Sequence, residues 1–240
     1  MSDSWCDLTL NWRFTHPTSG VQFTSPVVYG DKVACSFLNQ YRVFDLLTGA
    51  PLYTYVPQAV STIFPNDIRC APTVTMITGY PDPVMFVSGG ANQEIHAVNF
   101  NTGVKIWSRD ALSVGPTQLY GATRYCPFIV LDQGGVSIVY WGTDNGRVVA
   151  ANALTGALYA GWTTNPRNIT LSTWASGASD GTNLFFATFG TGVEGDIYSI
   201  SAATGVINWQ FSAAGDLQGA SFWPGPSQSQ VKQACGTCFA

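Results

Sequence analysis

The side chains in this sequence best suited to redox or metal chemistry are its six cysteines, two of which form a Cys-x-x-Cys pair at Cys235-Gly-Thr-Cys238. Such a pair is a redox motif when it opens a helix after a strand, and this tail predicts no such context. A zinc site would need a second pair, which the chain lacks. A c-type haem attachment signal would need a histidine where Phe239 stands. We therefore favour structural disulfides.

The other cysteines also allow a disulfide interpretation. Cys6 would lie near the tail cysteines if the two termini meet. Cys70 and Cys126 occupy similar places in neighbouring repeats, each close to a proline, and buried thiols are the alternative for these two. The candidate disulfide residues are Cys6, Cys70, Cys126, Cys235 and Cys238.

Charged residues and tyrosines gather in three long segments between predicted strands, at about residues 55–71, 108–126 and 163–173. Loops of this length are unusual unless they bind something or fold over the surface. Neighbouring acidic and basic residues in them are equally consistent with solvated surface pairs. The candidate binding residues of this loop face are Asp67, Arg69, Arg109, Tyr120 and Arg124.

The remaining reactive residues do not form a catalytic set. His16 and His96 are too few for a histidine-rich metal site, and His96 is expected to be a structural residue within a strand. Glu94 and Glu194 are expected in hairpin turns; with Asp196 they could bind a surface Ca²⁺, but acids at turn tips are usually solvated. No nucleophile elbow, phosphate-binding loop or dinucleotide fingerprint is present. The sequence therefore predicts no catalytic residues.

The elements that position these residues come from a fourfold repeat that ends in a Thr-Gly pair. The four segments are Tyr41-Arg-Val-Phe-Asp-Leu-Leu-Thr-Gly49, Ile95-His-Ala-Val-Asn-Phe-Asn-Thr-Gly103, Val148-Val-Ala-Ala-Asn-Ala-Leu-Thr-Gly156 and Ile197-Tyr-Ser-Ile-Ser-Ala-Ala-Thr-Gly205. Their glycines follow one another at intervals of 54, 53 and 49 residues. Three near-equal intervals indicate a repeat architecture.

Each repeat shares the same internal pattern. The residue four positions before the glycine can hydrogen-bond the backbone of its own turn, and the glycine allows a positive φ. These turn residues are Asp45, Asn99, Asn152 and Ser201. Four positions after the glycine stands an aromatic residue in three repeats, namely Tyr53, Trp107 and Trp209. The third repeat has Ala160 there and Trp162 two residues later, on the same face of a predicted strand.

Each repeat also predicts four short strands joined by hairpins. The runs just upstream of the turn segments are Val33-Ala-Cys-Ser-Phe37, Met85-Phe-Val-Ser-Gly-Gly90, Ile138-Val-Tyr-Trp-Gly-Thr143 and Leu184-Phe-Phe-Ala-Thr188. The runs before those are Pro26-Val-Val-Tyr29, Pro72-Thr-Val-Thr-Met76, Pro127-Phe-Ile-Val-Leu131 and Trp174-Ala-Ser-Gly-Ala178. Four strands in a unit of roughly 40 to 50 residues are typical of a propeller blade. The predicted fold is an all-β propeller of four-stranded antiparallel blades.

The pattern of a small residue, any residue, Asp or Asn, two residues, Thr-Gly, three residues and Trp resembles the blade repeat of the pyrroloquinoline quinone (PQQ) family. That family comprises the quinoprotein alcohol dehydrogenases and non-catalytic relatives, including bacterial outer-membrane assembly scaffolds. The resemblance covers about residues 22–212 and is specific for the fold. It implies that the aromatic residues dock between adjacent blades and find backbone partners there. The inter-blade residues so predicted are Trp12, Tyr53, Trp107, Trp162 and Trp209.

The repeats predict blades over residues 1–212 and a degenerate last blade or tail over residues 213–240. Trp12, in Leu10-Asn-Trp-Arg-Phe14, resembles the closing strand of a blade whose other strands would lie elsewhere. Three arrangements remain open: a compact five-unit ring with a poor last blade, a fragment of a larger ring, or an assembly completed by a second chain. We favour an incomplete or degenerate propeller.

The resemblance also sets out what a dehydrogenase of this family would carry. It would have eight blades, a Trp under the quinone, a vicinal disulfide, and Ca²⁺ held by Glu, Asn and Asp with an Asp base. This sequence has two glutamates, no adjacent cysteines and about half the length of such a ring. We therefore favour a non-catalytic scaffold or binding module without a cofactor, which contacts protein or glycan partners through its loop faces and edges. The alternative is a fragment or subunit of a PQQ-dependent dehydrogenase with PQQ and Ca²⁺.

Composition narrows the partners and the compartment. Charged residues make up 10% of the chain, against roughly 25% in an average soluble protein. The net charge of −4 and the scattered positions of ten basic residues argue against nucleic acid. No apolar run is long enough to span a bilayer, and the first residues lack a signal-peptide pattern. Low charge and the cysteines favour an extracellular or periplasmic location.

Overall fold

The computed structural model describes residues 11–15, 24–37, 40–57, 70–89, 94–109, 127–143, 145–169, 173, 176–188 and 195–212. Within these residues every regular element is a β-strand, and the strands form four antiparallel sheets of four strands each. No helix in this part of the chain could cross a membrane. The predicted all-β fold of four-stranded antiparallel blades is confirmed.

Each sheet is one blade, and its strands neighbour one another in chain order. Blade 1 contains β1 (Val27–Tyr29), β2 (Lys32–Phe37), β3 (Gln40–Asp45) and β4 (Pro51–Tyr55). Blade 2 contains β5 (Thr73–Thr75), β6 (Val84–Gly89), β7 (Glu94–Asn99) and β8 (Lys105–Arg109). Blade 3 contains β9 (Ile129–Asp132), β10 (Ser137–Gly142), β11 (Arg147–Asn152) and β12 (Arg167–Asn168). Blade 4 contains β13 (Ala178–Ser179), β14 (Asn183–Ala187), β15 (Asp196–Ser201) and β16 (Ile207–Ser212).

The hydrophobic core lies between the blades. One buried cluster joins blades 1 and 2, a second joins blades 2 and 3, and a third joins blades 3 and 4. The middle strands β7 and β10 are buried at every residue because each has a neighbouring blade on both faces. In contrast, five of the six residues of β16 are exposed. The described blades therefore form a stack, and blade 4 is its last member.

The turn that ends each repeat is held by a side chain of the turn itself. Asp45 accepts hydrogen bonds through Oδ1 from the backbone N–H and the hydroxyl of Thr48, both at 2.7 Å. Asn99 and Asn152 accept N–H groups of their turns at 2.9–3.0 Å in the same way. The glycine then takes a positive φ, +69° at Gly49. This conformation turns the chain sharply into the outermost strand of each blade.

The outermost strand of blade 3 departs from the predicted strand. Trp162 lies in no strand, because the pairing that starts at the Ala151–Leu158 bridge stops there and resumes only at β12. In the gap, the amide of Asn165 accepts the N–H of Ala150 at 3.2 Å and donates to its carbonyl at 2.7 Å. A side-chain amide carries the same donor and acceptor as a peptide group, so Asn165 takes the place of a strand residue.

The first strand of blade 4 also differs from its predicted position. The sequence predicts a strand over residues 174–178, whereas β13 begins at Ala178. The turn that follows fixes this register, since Gly181 has a φ of +93° and Asp180 Oδ1 accepts the N–H groups of Thr182 and Asn183 at 2.8 and 2.6 Å. Because the turn starts at Asp180, the strand lies directly before it.

Candidate functional site: the blade edge and the loop face

One contact geometry joins every pair of neighbouring blades. An aromatic side chain donates a hydrogen bond to the backbone carbonyl three residues before the turn glycine of a blade, and the same geometry joins residues 11–15 to blade 1. We call this carbonyl and the adjacent side of the glycine the socket. The donor and acceptor pairs are Trp12 Nε1 to Leu46 at 2.8 Å, Tyr53 OH to Phe100 at 2.8 Å, Trp107 Nε1 to Ala153 at 2.9 Å and Trp162 Nε1 to Ala202 at 2.8 Å.

The socket requires glycine for a steric reason as well as for its φ. A Cβ atom on Gly49 would stand 2.5 Å from the indole of Trp12, and one on Gly156 would stand 2.8 Å from Trp107. Gly103 and Gly205 meet Tyr53 and Trp162 in the same manner, at 2.7 and 2.5 Å. The aromatic ring therefore lies directly on the backbone of the next blade, which a larger residue would prevent.

Among the predicted inter-blade residues, which the structure describes in full, Trp209 alone is exposed. It is 48% exposed, and Phe211, two residues on along the same face of β16, is 58% exposed. Its ring lies 6.1 Å from Phe185, just as Trp107 lies 6.1 Å from Phe86 two blades earlier. Phe86 is fully buried, whereas Phe185 is only half-buried. We call Phe185, Trp209 and Phe211 the blade-4 edge.

A second group of interest lies where β4 ends and β7 begins. Tyr55 OH lies 2.7 Å from Nδ1 of His96, and Nε2 of His96 lies 3.2 Å from Oε2 of Glu94. His96 is 1% exposed and Glu94 is 7% exposed. The sequence places Glu94 in a hairpin turn, which is wrong: it is the first residue of β7, and its buried carboxylate faces His96.

Burial keeps the imidazole of His96, at the centre of this group, neutral. Burial, with a smaller contribution from the positive charge of Lys105, lowers the pKa of His96 to about 4. Burial and then the charge of Glu94 raise the pKa of Tyr55. The phenol therefore donates to Nδ1, which leaves the imidazole proton on Nε2, facing Glu94. The chain Tyr55–His96–Glu94 thus adds a polar link between blades 1 and 2 to the hydrogen bond from Tyr53 OH to the carbonyl of Phe100.

The acids do not converge on a cation site within the described residues. Asp196 is the first residue of β15, and its Oδ2 accepts hydrogen bonds from Tyr198 OH at 3.1 Å and Gln210 Nε2 at 3.0 Å. Asp196 is thus buried rather than solvated, and blade 3 separates it from Glu94. No group of three or more His, Cys, Asp or Glu residues in this part of the chain could hold a metal ion. Ca²⁺ needs several converging oxygens, so the described residues do not fit the PQQ–Ca²⁺ set.

The other candidate residues are placed as follows. Arg109 ends β8, and its Nη1 donates to the carbonyl of Gly156 in the next blade. Cys70 is buried, with its thiol donating to the carbonyl of Ala71 at 3.3 Å. No disulfide joins the two cysteines that the structure describes, Cys35 and Cys70. The candidates that lie outside the described residues are Asp67, Arg69, Tyr120, Arg124, Cys6, Cys126, Cys235, Cys238 and Glu194.

A shallow open cleft of about 370 Å³ lies between the first strands of blades 2 and 3. Its polar lining is engaged internally: the N–H of Thr78 donates to Ser137 Oγ at 2.8 Å, and the hydroxyl of Thr78 donates to Asp132 Oδ2 at 3.1 Å. These bonds hold blade 2 to blade 3. The cleft is therefore explained by packing between the blades.

The comparisons with known proteins place the fold. No protein-family model and no curated protein matches the sequence. Among solved structures, BamB from Moraxella catarrhalis is 16% identical with a TM-score of 0.53, over 80% of this chain and 52% of that one. A europium-containing methanol dehydrogenase is 15% identical with a TM-score of 0.55, over 85% and 43%. The quinohemoprotein alcohol dehydrogenase ADHIIG from Pseudomonas putida HK5 is 15% identical with a TM-score of 0.52, over 78% and 33%.

These likenesses confirm, at the level of the fold, the predicted resemblance to PQQ-repeat propellers. The chain spans about half or less of the length of the structures that it matches.

Sequence reasoning missed the Tyr55–His96–Glu94 group. One signal was available, because Glu94 and His96 stand two residues apart in a strand and so share a face. Tyr55 carries no local signal, since it is 41 residues away from His96 in the chain.

Proposed function

We propose that this chain is a non-catalytic β-propeller scaffold that binds a protein partner through the blade-4 edge. The observation that carries the proposal is the exposure of Trp209 and Phe211, at 48% and 58%. Trp162, the corresponding residue one blade earlier, is 4% exposed because blade 4 covers it. The blade-4 edge therefore exposes an aromatic side chain at the position where blade 3 has a buried one.

The chemistry of this edge suits a protein partner. Trp and other aromatic residues are enriched among the residues that dominate the energy of protein interfaces. A ring such as that of Trp209 can bury roughly 150–250 Å² and still needs a hydrogen-bond acceptor for its N–H. A backbone carbonyl meets that need, as it does in each of the four sockets. A protein partner therefore fits better than a glycan, which would offer no such regular carbonyl.

The compartment belongs to the same proposal. The low content of charged residues and the six cysteines support an extracellular or periplasmic location, where disulfides persist. The loop face and the cysteines that lie outside the described residues would then contribute a second contact surface and its disulfides.

Site-specific photo-crosslinking tests the edge. Benzoylphenylalanine in place of Phe211 keeps an aromatic group at the edge, and the same residue in place of Val104, which is 63% exposed on blade 2, is the matched control. We expect a discrete crosslinked protein from position 211 that is absent from position 104 and is lost with Trp209→Ala. Equal crosslinking at both positions would contradict the proposal. So would the absence of a crosslink at 211 both in the intact chain and in a Trp12→Ala/Phe14→Ala variant, in which the side chains that fill the blade-1 socket are removed.

The second candidate is a part of a PQQ-dependent dehydrogenase, which the likeness to two dehydrogenases supports. Titration of the purified chain with PQQ and Ca²⁺, followed by cofactor absorbance and by thermal unfolding, separates the two functions. A scaffold gives a flat titration and an unchanged melting temperature. Saturable absorbance together with a rise in melting temperature would replace the scaffold by the enzyme.

A further inference from the structure

The peptide before blade 1 and the outermost strand of blade 4 carry the same four-residue pattern. Residues 11–14 read Asn-Trp-Arg-Phe, and residues 208–211 read Asn-Trp-Gln-Phe. Both tryptophans stand at the position that fills a socket in this repeat, but their surroundings differ. Trp12 occupies the socket of blade 1, whereas Trp209 is 48% exposed. The chain therefore contains two copies of one recognition element and only one of them is docked among the described residues.

Next to the blade-1 socket lies a second compartment, formed by Phe37, Arg42 and Phe44, and it receives the phenylalanine of this pattern. The ring of Phe14 lies 4.9 Å from Phe44 and 5.7 Å from Phe37. The guanidinium of Arg42 lies 5.1 Å from the centre of the Phe14 ring, a cation–π distance. Three aromatic or cationic groups thus enclose Phe14 next to the indole of Trp12.

The corresponding compartment of blade 2 is built for a different residue. His96 stands seven residues before its turn glycine, as Arg42 does in blade 1, and the residue it receives is Tyr55, whose hydroxyl bonds its Nδ1. A phenylalanine there would leave that nitrogen without its donor. Phe211 therefore matches the compartment of blade 1 and not that of blade 2.

Residues 11–15 hold the blade-1 socket without belonging to any of the four sheets. Trp12 and Phe14 face blade 1, while Asn11, Arg13 and Thr15 between and beside them are exposed. In β16, by contrast, Trp209 and Phe211 are both paired with residues of β15, namely Ser199 and Ile197. The edge of blade 4 offers the same two side chains on a stiffer support.

On the basis of the proposed function of the blade-4 edge, we propose that its partner is a second copy of this chain. Trp209 and Phe211 of one copy enter the blade-1 socket of the other when residues 11–15 leave it. Residues 11–15 thereby act as an intramolecular plug that keeps the chain monomeric. The indole N–H of Trp209 then donates to the carbonyl of Leu46, and Phe211 lies against Phe37, Phe44 and Arg42.

The contact joins different surfaces of the two copies, so it must close on itself to end in a defined particle. The part of this chain that aligns with BamB, 80% of its residues, covers 52% of the BamB chain. Two copies joined twice, blade 4 to blade 1, would therefore supply about one complete ring of that size. A tethered plug competes at an effective concentration in roughly the millimolar range, so the intact chain stays monomeric at micromolar concentration.

The test compares four versions of the full chain by light scattering after size exclusion. They are the intact chain, the unplugged variant W12A/F14A, the edge variant W209A/F211A and the variant with all four substitutions. We expect a doubling of mass from 25.7 kDa for the unplugged variant alone. An excess of a peptide with the sequence of residues 10–15 should return it to a monomer.

A mixing experiment guards against a plug variant that merely misfolds. The fourfold variant has an open socket and no edge, and the intact chain has an edge and a filled socket. Together they should form a complex of two chains that neither forms alone. No complex should form when the edge variant takes the place of the intact chain. An unplugged variant that stays monomeric, or association that persists in the fourfold variant alone, would overturn the proposal. A crosslink from position 211 to another protein would then leave the scaffold function standing, whereas no crosslink from position 211 in either the intact or the unplugged chain would remove both.

Discussion

Single residues in this protein carry two constraints at once where blades meet. Gly156 needs its positive φ of +72° for the turn and its missing side chain for the indole of Trp107. Gly30 has a similar φ, +59°, in the hairpin between β1 and β2, but nothing lies within 4 Å of the place where its Cβ would stand. Comparing substitutions at Gly156 and Gly30 therefore separates the cost of backbone strain from the cost of losing the contact between blades.

We predict that Gly156→Ala destabilises the chain more than Gly30→Ala does. A positive φ costs an alanine about 1–2 kcal/mol at either position. Displacing Trp107 should add roughly 1–3 kcal/mol at position 156 only. Urea unfolding measures both free energies. In a Trp107→Ala background the extra cost should vanish, and equal losses in the intact background would contradict the double role of the glycine.

His96 makes stability depend on pH. Its pKa is about 4 in the folded chain and 6.5 as an ordinary value, so between these two pH values the unfolded chain binds more protons. The free energy of unfolding is therefore highest above about pH 6.5 and falls, by up to about 3 kcal/mol, as the pH drops towards 4. Glu94, Lys105 and Tyr55 are the ionisable groups that face the imidazole.

Urea unfolding at several pH values tests this effect with His96→Gln as the control variant. The variant should lose most of the slope between pH 6.5 and 4, because glutamine does not titrate. The exposed carboxylates with lowered pKa values act below this window, since their ordinary value is already 3.8; they are Asp31, Asp45, Asp82 and Asp180. An unchanged slope in the variant would show that another group titrates there.

At the scale of elements, the sequence predicts those parts of a blade that local chemistry determines. The Asp45 and Asn99 turns follow from a side chain that bonds its own backbone, and the hairpin strands follow from β-branched runs. The outermost strand of blade 3 does not follow, because the amide that fills its gap belongs to Asn165, 15 residues away from its partner Ala150. The burial of Glu94 does not follow either, since it depends on a group from another blade. These contacts join residues that are distant in the chain and that the repeat does not mark, whereas the inter-blade aromatic residues recur at a fixed place in it.

We predict that Asn165→Ala costs about 1–2 kcal/mol of unfolding free energy, because the N–H of Ala150 then loses a partner in a half-buried place. Asn168→Ala is the matched control, since Asn168 is exposed in the neighbouring strand β12. Asn165→Asp should fall between them: its oxygen still accepts from Ala150, but it can no longer donate to the carbonyl. Urea unfolding measures the stability of the three variants. Equal stability would contradict the role of Asn165 in replacing a strand residue.

In the part of the chain that the structure describes, the buried clusters join each blade to its neighbours, as in a row of repeated units. Blades 2 and 3 have a buried cluster on both sides, and blade 4 has one on a single side. In such an array stability is close to a sum of unit and interface contributions. The end unit therefore opens most easily, and this is also the unit that carries the proposed binding edge.

Hydrogen exchange measures this gradient along the stack. We predict that amides of β15 and β16 exchange at least about tenfold faster than those of β6 and β7, because a single interface of about 1.4 kcal/mol or more already gives that factor. Trp162→Ala should accelerate blade 4 further and leave β2 and β3 unchanged, since it removes the contact of blade 3 with Ala202 and Gly205. Trp209→Ala should change little in the monomer, because its ring is half exposed. Uniform exchange across the four blades would mean that the end of the stack is covered in solution, and the proposed edge would then not be available to a partner.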